Sequence, residues 1–471
     1  MKKSTYSRRY FLKQNVMAGT GVLLGSGMPA AYAKATDKQT SQGSLSLSLF
    51  DVDATPPIGT HLAYEVMTRS WDMGLRAKGI VLHGAGEPIV LCAIDWIGIA
   101  NESYDAFRQV MAVAAGTKPE RVSIHAVHQH DAFRSDAGGE RILKQHGVEP
   151  MAWEGSFARE FLPTFGEAIK KAVQTAVPVT HIGLGEAPVY QVASNRRILG
   201  EDGRVRQNRM SSCKDPSLRA EPEGLIDPMV SLVSFWNEDK PLAVLSYYAV
   251  HPMSYYRTGI ANPDFPGIAR FMRQLAVPEA LHVHFTGAAG NVAAGKYNDG
   301  SPANRLILAE KLADGMKRAW ENTQKEKITA GQVSWKFEPF AFTPAPFLAD
   351  LKKQLAADPS LYKTNRGAAR KMAWYERCLA GKKVDLCCLG IGKARILLLP
   401  GELFVEYQLA ARQKRPDLFV AVAAYGDYSM GYIGTEKAYE EGGYEASEVA
   451  SNVHPTTERE LKTAIFRLLD V

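Results

Sequence analysis

The sequence predicts an α/β fold in which mixed β-sheets are flanked by helices within a single large domain. The chain has 471 residues, of which 46% are hydrophobic and 23% charged, as in a folded globular protein. Short apolar runs of strand length alternate with longer segments of helical spacing along most of the chain. No internal repeat, low-complexity tract or long polar linker interrupts this alternation, so nothing in the sequence requires a second domain.

The N-terminus has the pattern of an export signal. Ser7–Lys13 contains two adjacent arginines, a weakly apolar stretch follows at Val16–Met28, and Ala31–Ala33 offers a small-residue cleavage site. The apolar stretch of about 13 residues is too short to span a bilayer, so no stable membrane span is expected after cleavage. We expect residues 1–33 to be a twin-arginine signal peptide. The twin-arginine machinery would then export the folded protein to the periplasm or out of the cell.

The charge of the remaining chain excludes one class of partner. Residues 1–33 contain five basic and no acidic residues, so the formal charge of +6 falls to +1 without them. This balance gives no reason to expect a nucleic-acid partner. Residues 34–44 are polar and predict a flexible leader, and the domain is expected to occupy 45–471 with a possible insertion at 333–382. The five cysteines have no framework spacing and are expected to be small buried hydrophobes.

The elements follow from the spacing of the apolar residues, with turn residues at their ends. The run Pro88–Ala100 is apolar enough to be buried on both faces, and Asn101 is a candidate cap for the helix that follows. Strands are predicted at Leu45–Phe50, Lys78–Gly84, Pro88–Ala100, Arg121–His130, His181–Val192, Met229–Trp236, Pro241–His251, Ala280–Gly287, Gly331–Phe342 and Phe419–Gly426, with a hairpin at Val384–Gly401. Helices are predicted at Glu102–Ala115, Trp153–Ala176, Ala303–Thr323, 347–380, Leu403–Gln413 and Glu458–Leu469.

Candidate metal ligands stand where several of these strands end. His128 and His130 end one apolar run, His251 ends another, Glu402 follows a third, and Tyr432 lies in a glycine-rich segment. In open α/β sheets, ligands bind beyond the carboxyl ends of the strands. Successive strand residues face opposite sides, so two histidines separated by one residue share a face. The pattern predicts one pocket, built from several strands, in which a catalytic metal would bind.

Each of these residues also has an ordinary structural interpretation. His251 is equally typical of a hydrogen-bonded core histidine, and Glu402 of an acid at a helix N-terminus. Around Tyr432 the residues alone leave several tyrosines as alternatives. These are Tyr425, Tyr428, Tyr439 and Tyr444. For a second pair with the same spacing, His282 and His284, the favoured interpretation is a structural role in hydrogen bonding.

Other polar and small residues at predicted turns are candidates for substrate contacts. The small-residue loop Gly287–Gly295 contains Gly290 and Asn291, and such a loop lets backbone N–H groups approach a substrate oxygen closely. It matches neither a phosphate-binding loop nor a dinucleotide fingerprint. Asn195, Arg196 and Asp264 are candidate substrate-binding residues, although each also suits a plain turn.

In their order along the chain, these motifs resemble the neutral/alkaline (non-lysosomal) ceramidase family. The resemblance covers roughly residues 45–450. The matching segments are Asp53–Gly59, His128–His130, Asn195–Arg196, Ala249–Pro252, Asp264–Gly267, Gly287–Asn291, Leu399–Glu402 and Gly431–Thr435.

The resemblance implies an α/β catalytic domain with one zinc ion, which hydrolyses an amide bond of an N-acyl substrate. The zinc ligands would be His128, His251, Glu402 and Tyr432. His130 matches the second histidine of the family's His-Thr-His-Ser motif and would face the metal-bound water or the substrate oxygen. The partner is expected to be a small-molecule, lipid or glycan substrate.

Two departures from the family pattern change the expected chemistry. Asp131 stands where the family has serine after the histidine motif, and Ala293 stands where the family has its catalytic serine. We therefore expect a divergent member in which water activated by the metal attacks the carbonyl directly. His130 and Asp131 are candidate bases, and N–H groups near Gly290 are candidates for stabilising the oxyanion. Cleavage of a glycoside or an ester, or ligand binding without catalysis, are the alternatives.

Overall fold

A computed structural model describes residues 44–71 and 73–470. The predicted signal peptide and almost all of the predicted leader lie outside these residues. No helix in the described part of the chain is both long and apolar enough to cross a membrane.

Strands and helices alternate through the described residues. The strands are β1 (Leu45–Asp53), β2 (Arg76–His83), β3 (Ile89–Ile94), β4 (Gly98–Ala100), β5 (Val122–Ala126), β6 (Arg134–Asp136), β7 (Val177–Val179), β8 (His181–Pro188), β9 (Ser194–Asn195), β10 (Arg197–Leu199), β11 (Val205–Asn208), β12 (Met229–Asn237), β13 (Lys240–Tyr248), β14 (Leu281–Thr286), β15 (Val292–Ala293), β16 (Gln324–Lys327), β17 (Val333–Phe340), β18 (Val384–Ile391), β19 (Ala394–Leu398), β20 (Glu402–Leu403), β21 (Phe419–Ala423) and β22 (Tyr432–Ile433). The helices are α1 (Asn101–Ala115), α2 (Ala137–Gln145), α3 (Ser156–Val173), α4 (Pro216–Ala220), α5 (Asp264–Ala276), α6 (Ala303–Glu321), α7 (Phe347–Ala357), α8 (Leu361–Thr364), α9 (Gly367–Leu379), α10 (Val405–Lys414), α11 (Glu436–Glu441) and α12 (Thr457–Leu469). Short 3₁₀ turns occupy Pro119–Arg121, Met151–Trp153 and Ala330–Gln332.

Three larger sheets share one design. Their strand orders are β5-β3-β2-β1-β7, β14-β13-β12-β8-β16 and β17-β18-β19-β21. In each sheet one edge is a parallel pair, namely β3 with β5, β13 with β14 and β19 with β21, and the other pairs are antiparallel. The predicted α/β fold with mixed sheets is confirmed.

The three sheets pack against one another around a shared apolar core. Leu91 of the first sheet, Leu245 and Phe285 of the second, and Leu389 and Leu398 of the third belong to one buried cluster. Each such side chain contributes roughly 1.5–3 kcal/mol when it leaves water. The opposite faces of the sheets are covered mainly by helices: α1 and α3 on the first, α5 and α6 on the second, and α9, α10 and α12 on the third.

The carboxyl ends of the parallel pairs meet at one end of this core. The Ala126 N–H donates to the Tyr425 carbonyl at 2.9 Å, and the Ala424 N–H donates to the Thr286 carbonyl at 2.9 Å. The Thr286 hydroxyl donates to the Val127 carbonyl at 2.8 Å. These bonds tie the ends of β5, β14 and β21 together. The loops that follow these strands therefore share one small region.

Three local predictions need correction. The strand predicted to reach His130 ends at Ala126, and His128 has a left-handed φ of +78°, so strand alternation does not align the two histidines. Asn101 lies inside α1 and its side chain donates to Asp136 rather than capping the helix. The predicted turn Asp264–Gly267 is the first turn of α5, where a proline is tolerated because that N–H needs no helical partner.

Part of the predicted insertion at 333–382 belongs to one of the three large sheets. β17 pairs along the full length of β18, and α7 to α9 follow it. Whether 333–382 is an insertion stays a prediction.

All five cysteines are free thiols, four of them buried and Cys378 half-buried, as expected for small apolar side chains.

Candidate metal centre

Three histidines from two strand ends form a buried cluster. His128 and His130 follow β5 and His251 follows β13, and each offers a ring nitrogen within 4.8 Å of the others. The Nε2 atoms of His130 and His251 are 3.4 Å apart. His128 and His251 are each 2% exposed and His130 is 9% exposed, so the cluster is closed off from bulk water.

The backbone orients His128 toward the cluster. Its N–H donates to the Trp96 carbonyl at 2.9 Å, and Nδ1 lies 2.5 Å from the Ile97 carbonyl oxygen. A carbonyl oxygen only accepts, so Nδ1 is the donor in this contact and Nε2 is the nitrogen that faces the cluster. Nε2 then has a free lone pair directed into the cluster, as in a metal-binding histidine whose other nitrogen is anchored.

Glu402 places a carboxylate oxygen against the histidines. Glu402 begins β20, which pairs with β22 so that Glu402 lies opposite Tyr432. Its Oε2 is 3.4 Å from His128 Nε2 and 3.9 Å from His251 Nδ1. Oε1 accepts a hydrogen bond from Tyr428 at 2.9 Å, whereas Oε2 has no hydrogen-bond partner among the described residues. A buried carboxylate oxygen without a donor is costly, and a divalent cation between it and the histidines would compensate its charge. The residues present therefore fit a metal ion.

The electrostatics of the cluster favour the protonation states that bind metals. Burial alone would raise the pKa of Glu402, but His128, 3.4 Å away, and the hydrogen bond from Tyr428 hold it below its ordinary value. Burial, together with neighbouring histidines and Arg196, lowers the pKa of His130 and His251 well below their ordinary values. The carboxylate is thus ionised while both imidazoles are neutral.

Three tyrosines surround the cluster, namely Tyr432, which the family resemblance selected, and Tyr425 and Tyr428, which the residues alone had left as alternatives. The hydroxyl of Tyr432 accepts a hydrogen bond from Arg196 Nη1 at 3.1 Å. Tyr428 bonds Glu402, and the Tyr425 ring stacks on His128 at 4.5 Å between centroids. Burial raises the pKa of Tyr432 well above its ordinary value, so its phenol is protonated here. Tyr432 as a ligand stays a prediction.

Of the predicted substrate-binding residues, Arg196 lies at the cluster. Arg196 is 2% exposed, and its charge is balanced by Glu445, whose Oε1 lies 3.2 Å from Nε. The Asn195 side chain instead donates to the Leu225 carbonyl at 3.0 Å. Asp264 accepts the Ser254 N–H at 3.1 Å and its own helix's Phe265 N–H at 2.6 Å. Both residues hold loops around the site.

Asp131 also holds a loop. Its carboxylate oxygens accept the Arg257 N–H and the Thr258 hydroxyl, each at 2.7 Å. These two bonds anchor the 257–258 loop, and the role of Asp131 as a base stays a prediction.

Gly290 and Asn291 join the small-residue loop to the strand of Glu402. The Gly290 N–H donates to the Leu403 carbonyl at 2.8 Å, and a Cβ on Gly290 would lie 2.3 Å from the Glu402 carbonyl oxygen. Asn291 accepts the Val405 N–H at 2.9 Å and donates to Glu406 at 2.8 Å. The predicted oxyanion donor at Gly290 is therefore already committed, and this close approach is what requires glycine there.

Two aromatic residues cover the cluster without any signal in the sequence. The Tyr64 ring stacks on His130 with centroids 5.6 Å apart and an interplanar angle of 5°. Tyr256 packs edge-on against Tyr64 at 4.8 Å. Tyr64 follows a proline-rich turn with no pattern that points to a pocket. By contrast, Tyr425 and Tyr428 come soon after β21, and their place after a strand end is the sequence feature that points to the pocket.

Comparison with known proteins identifies the fold. No protein-family model matches this sequence, and no curated protein sequence matches it. Among solved structures, a neutral ceramidase from Pseudomonas aeruginosa matches with a TM-score of 0.64 and 16% identity, over 90% of this chain and 74% of that chain. A ceramidase complexed with C2 matches with a TM-score of 0.64 and 15% identity, over the same shares of the two chains. The chain therefore has a neutral-ceramidase-like α/β fold, with a buried histidine cluster that could hold a metal ion.

Proposed function

We propose that this protein is a zinc-dependent hydrolase that cleaves an amide bond of an N-acyl substrate. The observation that supports it is the convergence of His128, His130 and His251 within 4.8 Å of one another. Beside them lies a buried Glu402 oxygen without a hydrogen-bond partner among the described residues. The ceramidase-like fold supports the same reaction class, since the hydrolases that it resembles are ceramidases.

His128, His251 and Glu402 would hold the metal, with Tyr432 as the fourth ligand that the family resemblance implies. A divalent cation bound there would act as a Lewis acid that polarises the substrate carbonyl and makes a water molecule more acidic. Neutral imidazole and ionised carboxylate are the donors that zinc prefers. His130 Nε2 lies 3.4 Å from His251 Nε2, a distance that also suits two ligands of one metal. The metal affinity of a His130 variant therefore decides between a ligand and a residue that faces the substrate.

The chain's own residues supply a proton carrier and an oriented hydroxyl. His130 Nδ1 has no hydrogen-bond partner within the described residues, so it can accept a proton from the attacking water and deliver it to the leaving nitrogen. Arg196 donates to the Tyr432 oxygen, so the Tyr432 proton points away from Arg196 and can be donated to a substrate oxygen. Tyr64 covers His130 and limits the entry of water.

We propose water as the nucleophile, because the position of the family's serine has no hydroxyl. Ala293 is fully buried in β15. The neighbouring Ser194 hydroxyl donates to the Ala293 carbonyl at 2.9 Å and serves to hold the strand pair. The simplest consequence is a reaction in which no covalent acyl-enzyme intermediate forms on a serine.

We also propose that the mature protein acts in the periplasm or outside the cell. The twin-arginine pattern at Ser7–Lys13 supports export in the folded state, which suits a protein that acquires its metal in the cytoplasm.

The test is a metal and substrate assay on purified mature protein. We expect about one zinc per chain, and turnover of N-acyl amides that is lost with a chelator and restored by zinc. Esters and glycosides of matched size serve as the comparison. A folded parent protein that binds no zinc would refute the metal site. Faster cleavage of esters or glycosides than of amides would show that the bond cleaved is an ester or a glycoside.

A further inference from the structure

Two arginines beside the cluster lack an acidic partner. Arg134 lies in β6, four residues after His130, and Arg370 lies in α9. Within the described residues neither guanidinium forms an ion pair, and the Nε atom of each is buried without an acceptor. Arg370 makes a single side-chain hydrogen bond, from Nη1 to the Tyr428 carbonyl at 3.3 Å, and Arg134 makes none.

Both guanidinium groups border the candidate metal centre. Arg370 Cζ lies 5.1 Å from the centre of the Tyr428 ring, and the hydroxyl of that ring bonds Glu402. Arg134 Cζ lies 4.3 Å from the Trp153 ring. The positive charge of Arg134 opposes the effect of burial on the pKa of Tyr64, the residue that stacks on His130. The two charges therefore lie on the side of the pocket formed by Tyr64 and Tyr428.

Two other arginines of this chain, both buried, are each paired with an acid. Arg270 bonds both oxygens of Asp95, at 2.8 and 2.6 Å, and Arg196 pairs with Glu445. Asp136 is the nearest acid to influence Arg134 and Arg370, but it forms no ion pair with either, and its carboxylate accepts hydrogen bonds from the Asn101 side chain and the Gly139 N–H. Arg134 and Arg370 are half-buried and form no ion pair within the described residues, so their partly desolvated guanidinium groups can receive an anion that arrives with a ligand.

We propose that Arg134 and Arg370 bind an anionic group of the substrate, a carboxylate, sulfate or phosphate. The planar guanidinium fork matches these oxyanions with two parallel hydrogen bonds. The inference rests on the proposed function, because a divalent cation held by the single charge of Glu402 makes the pocket still more positive. The substrate class is then an N-acyl amide that also has an acid group, in contrast to an uncharged lipid amide.

The test is the preference for an anion in metal-free protein, which excludes direct coordination by zinc. Calorimetry would compare N-hexanoylglycine with the neutral N-hexanoylglycinamide for the parent, Arg134→Gln, Arg370→Gln and the double variant. Arg366→Gln is the matched control, since Arg366 is close by in the chain and its guanidinium bonds the Glu149 and Lys363 carbonyls. We expect the parent to bind the anion at least about tenfold more tightly than the amide. Each single variant should lose most of that preference and the control should keep it.

Inorganic sulfate, phosphate and acetate separate the possible anions without assuming an acyl group. Thermal unfolding of the metal-free parent should shift upward with at least one of them, and the double variant should show no such shift. If the glutamine variants are unfolded by circular dichroism, Arg134→Lys and Arg370→Lys keep the charge and should weaken binding without abolishing it. Equal binding of anion and amide by the parent, no shift with any of the three anions, or an unchanged preference in a folded double variant would overturn the inference.

Failure of the two proposals is distinguishable. Zinc-dependent hydrolysis of charged and neutral amides at equal rates would leave the proposed function intact and remove the anion site. A preference for anions that needs both arginines, in a protein without zinc-dependent hydrolysis, would leave the anion site intact and remove the proposed function. In an active enzyme the glutamine variants should raise KM for the charged amide more than they lower kcat.

Discussion

Two pairs of histidines with the same spacing have opposite surroundings in this molecule. His128 and His130 come after the end of β5, whereas His282 and His284 lie inside β14. The first pair meets His251 in a group that could hold a metal. In the second pair, His284 bonds the Ser246 hydroxyl at 2.9 Å, as the sequence suggested for a structural histidine.

The difference lies in what the strand position allows. Inside β14, a neighbouring strand and a helix surround each ring, and burial lowers the pKa of His282 to about 4 and that of His284 to about 3. Arg273, which forms no ion pair within the described residues, adds positive charge beside His282, and this disfavours a cation there. Beyond the end of β5 the backbone is free to adopt the left-handed turn at His128, and the rings of His128 and His130 meet His251 at the end of β13. The spacing of two histidines is thus weaker evidence for a metal than their place after a strand.

The largest expected effect is loss of zinc binding when the carboxylate of the first region is neutralised. Glu402→Gln keeps the shape of the side chain and its contact with Tyr428 but removes the negative charge. We expect zinc affinity to fall at least about a hundredfold, measured by competition with a chromophoric chelator. His284→Asn is the control from the second region and should keep the parent affinity. Equal zinc affinities for Glu402→Gln and the parent would show that the carboxylate is not a ligand.

His130 distinguishes a ligand from a substrate-facing residue within the first region. We expect His130→Gln to lower kcat about a hundredfold while changing zinc affinity by less than about tenfold, because a general acid or base contributes mainly to turnover. Both quantities would be measured on one preparation of each variant. A loss of zinc affinity as large as that of Glu402→Gln would instead make His130 a ligand.

The sequence predicts the strands of this fold well because buried strands are continuous apolar runs. It places the candidate ligands for the same reason, since His251 ends such a run and Glu402 follows another. Helix α5 could not be predicted, because Pro266 and Gly267 resemble a turn and only the packing against α6 and β14 reveals a helix.

The remaining site residues depend on contacts between distant segments. Tyr425, Tyr428 and Tyr432 all lie in one short segment after β21. The sequence does not show which of them contacts His128, Glu402 or Arg196, and only the folded structure assigns these contacts. Arg134 and Arg370 resemble ordinary surface arginines in the sequence. Their lack of acidic partners is visible only once every described neighbour is placed.

A pH titration of stability isolates the second region. Burial depresses the pKa of His284 to about 3 in the folded protein, below the value of about 6.5 for an exposed histidine. The unfolded chain therefore binds one more proton than the folded one between pH 6.5 and 3, so the free energy of unfolding falls as the pH decreases through that window. The expected slope is about 1.4 kcal/mol per pH unit from this residue. Chemical denaturation of His284→Asn should show a slope that is shallower by that amount between pH 6 and 4. His61→Asn, at a half-exposed position, is the control, and equal slopes for the parent and His284→Asn would contradict the buried neutral histidine.

The smallest expected effect concerns the hydrogen bond that orients the carboxylate of the first region. Tyr428→Phe removes the donor to Glu402 Oε1, now 2.9 Å away, and leaves the ring that stacks near His128 and Arg370. Partners of this kind typically change metal affinity tenfold or more, so we expect zinc affinity to fall about tenfold with little loss of stability. Tyr439→Phe removes a hydroxyl that bonds Ser451 instead and should leave zinc affinity unchanged. If Tyr428→Phe bound zinc like the parent, Glu402 would be oriented by its backbone pairing with Tyr432 alone, and the first region would owe its geometry entirely to the ends of its strands.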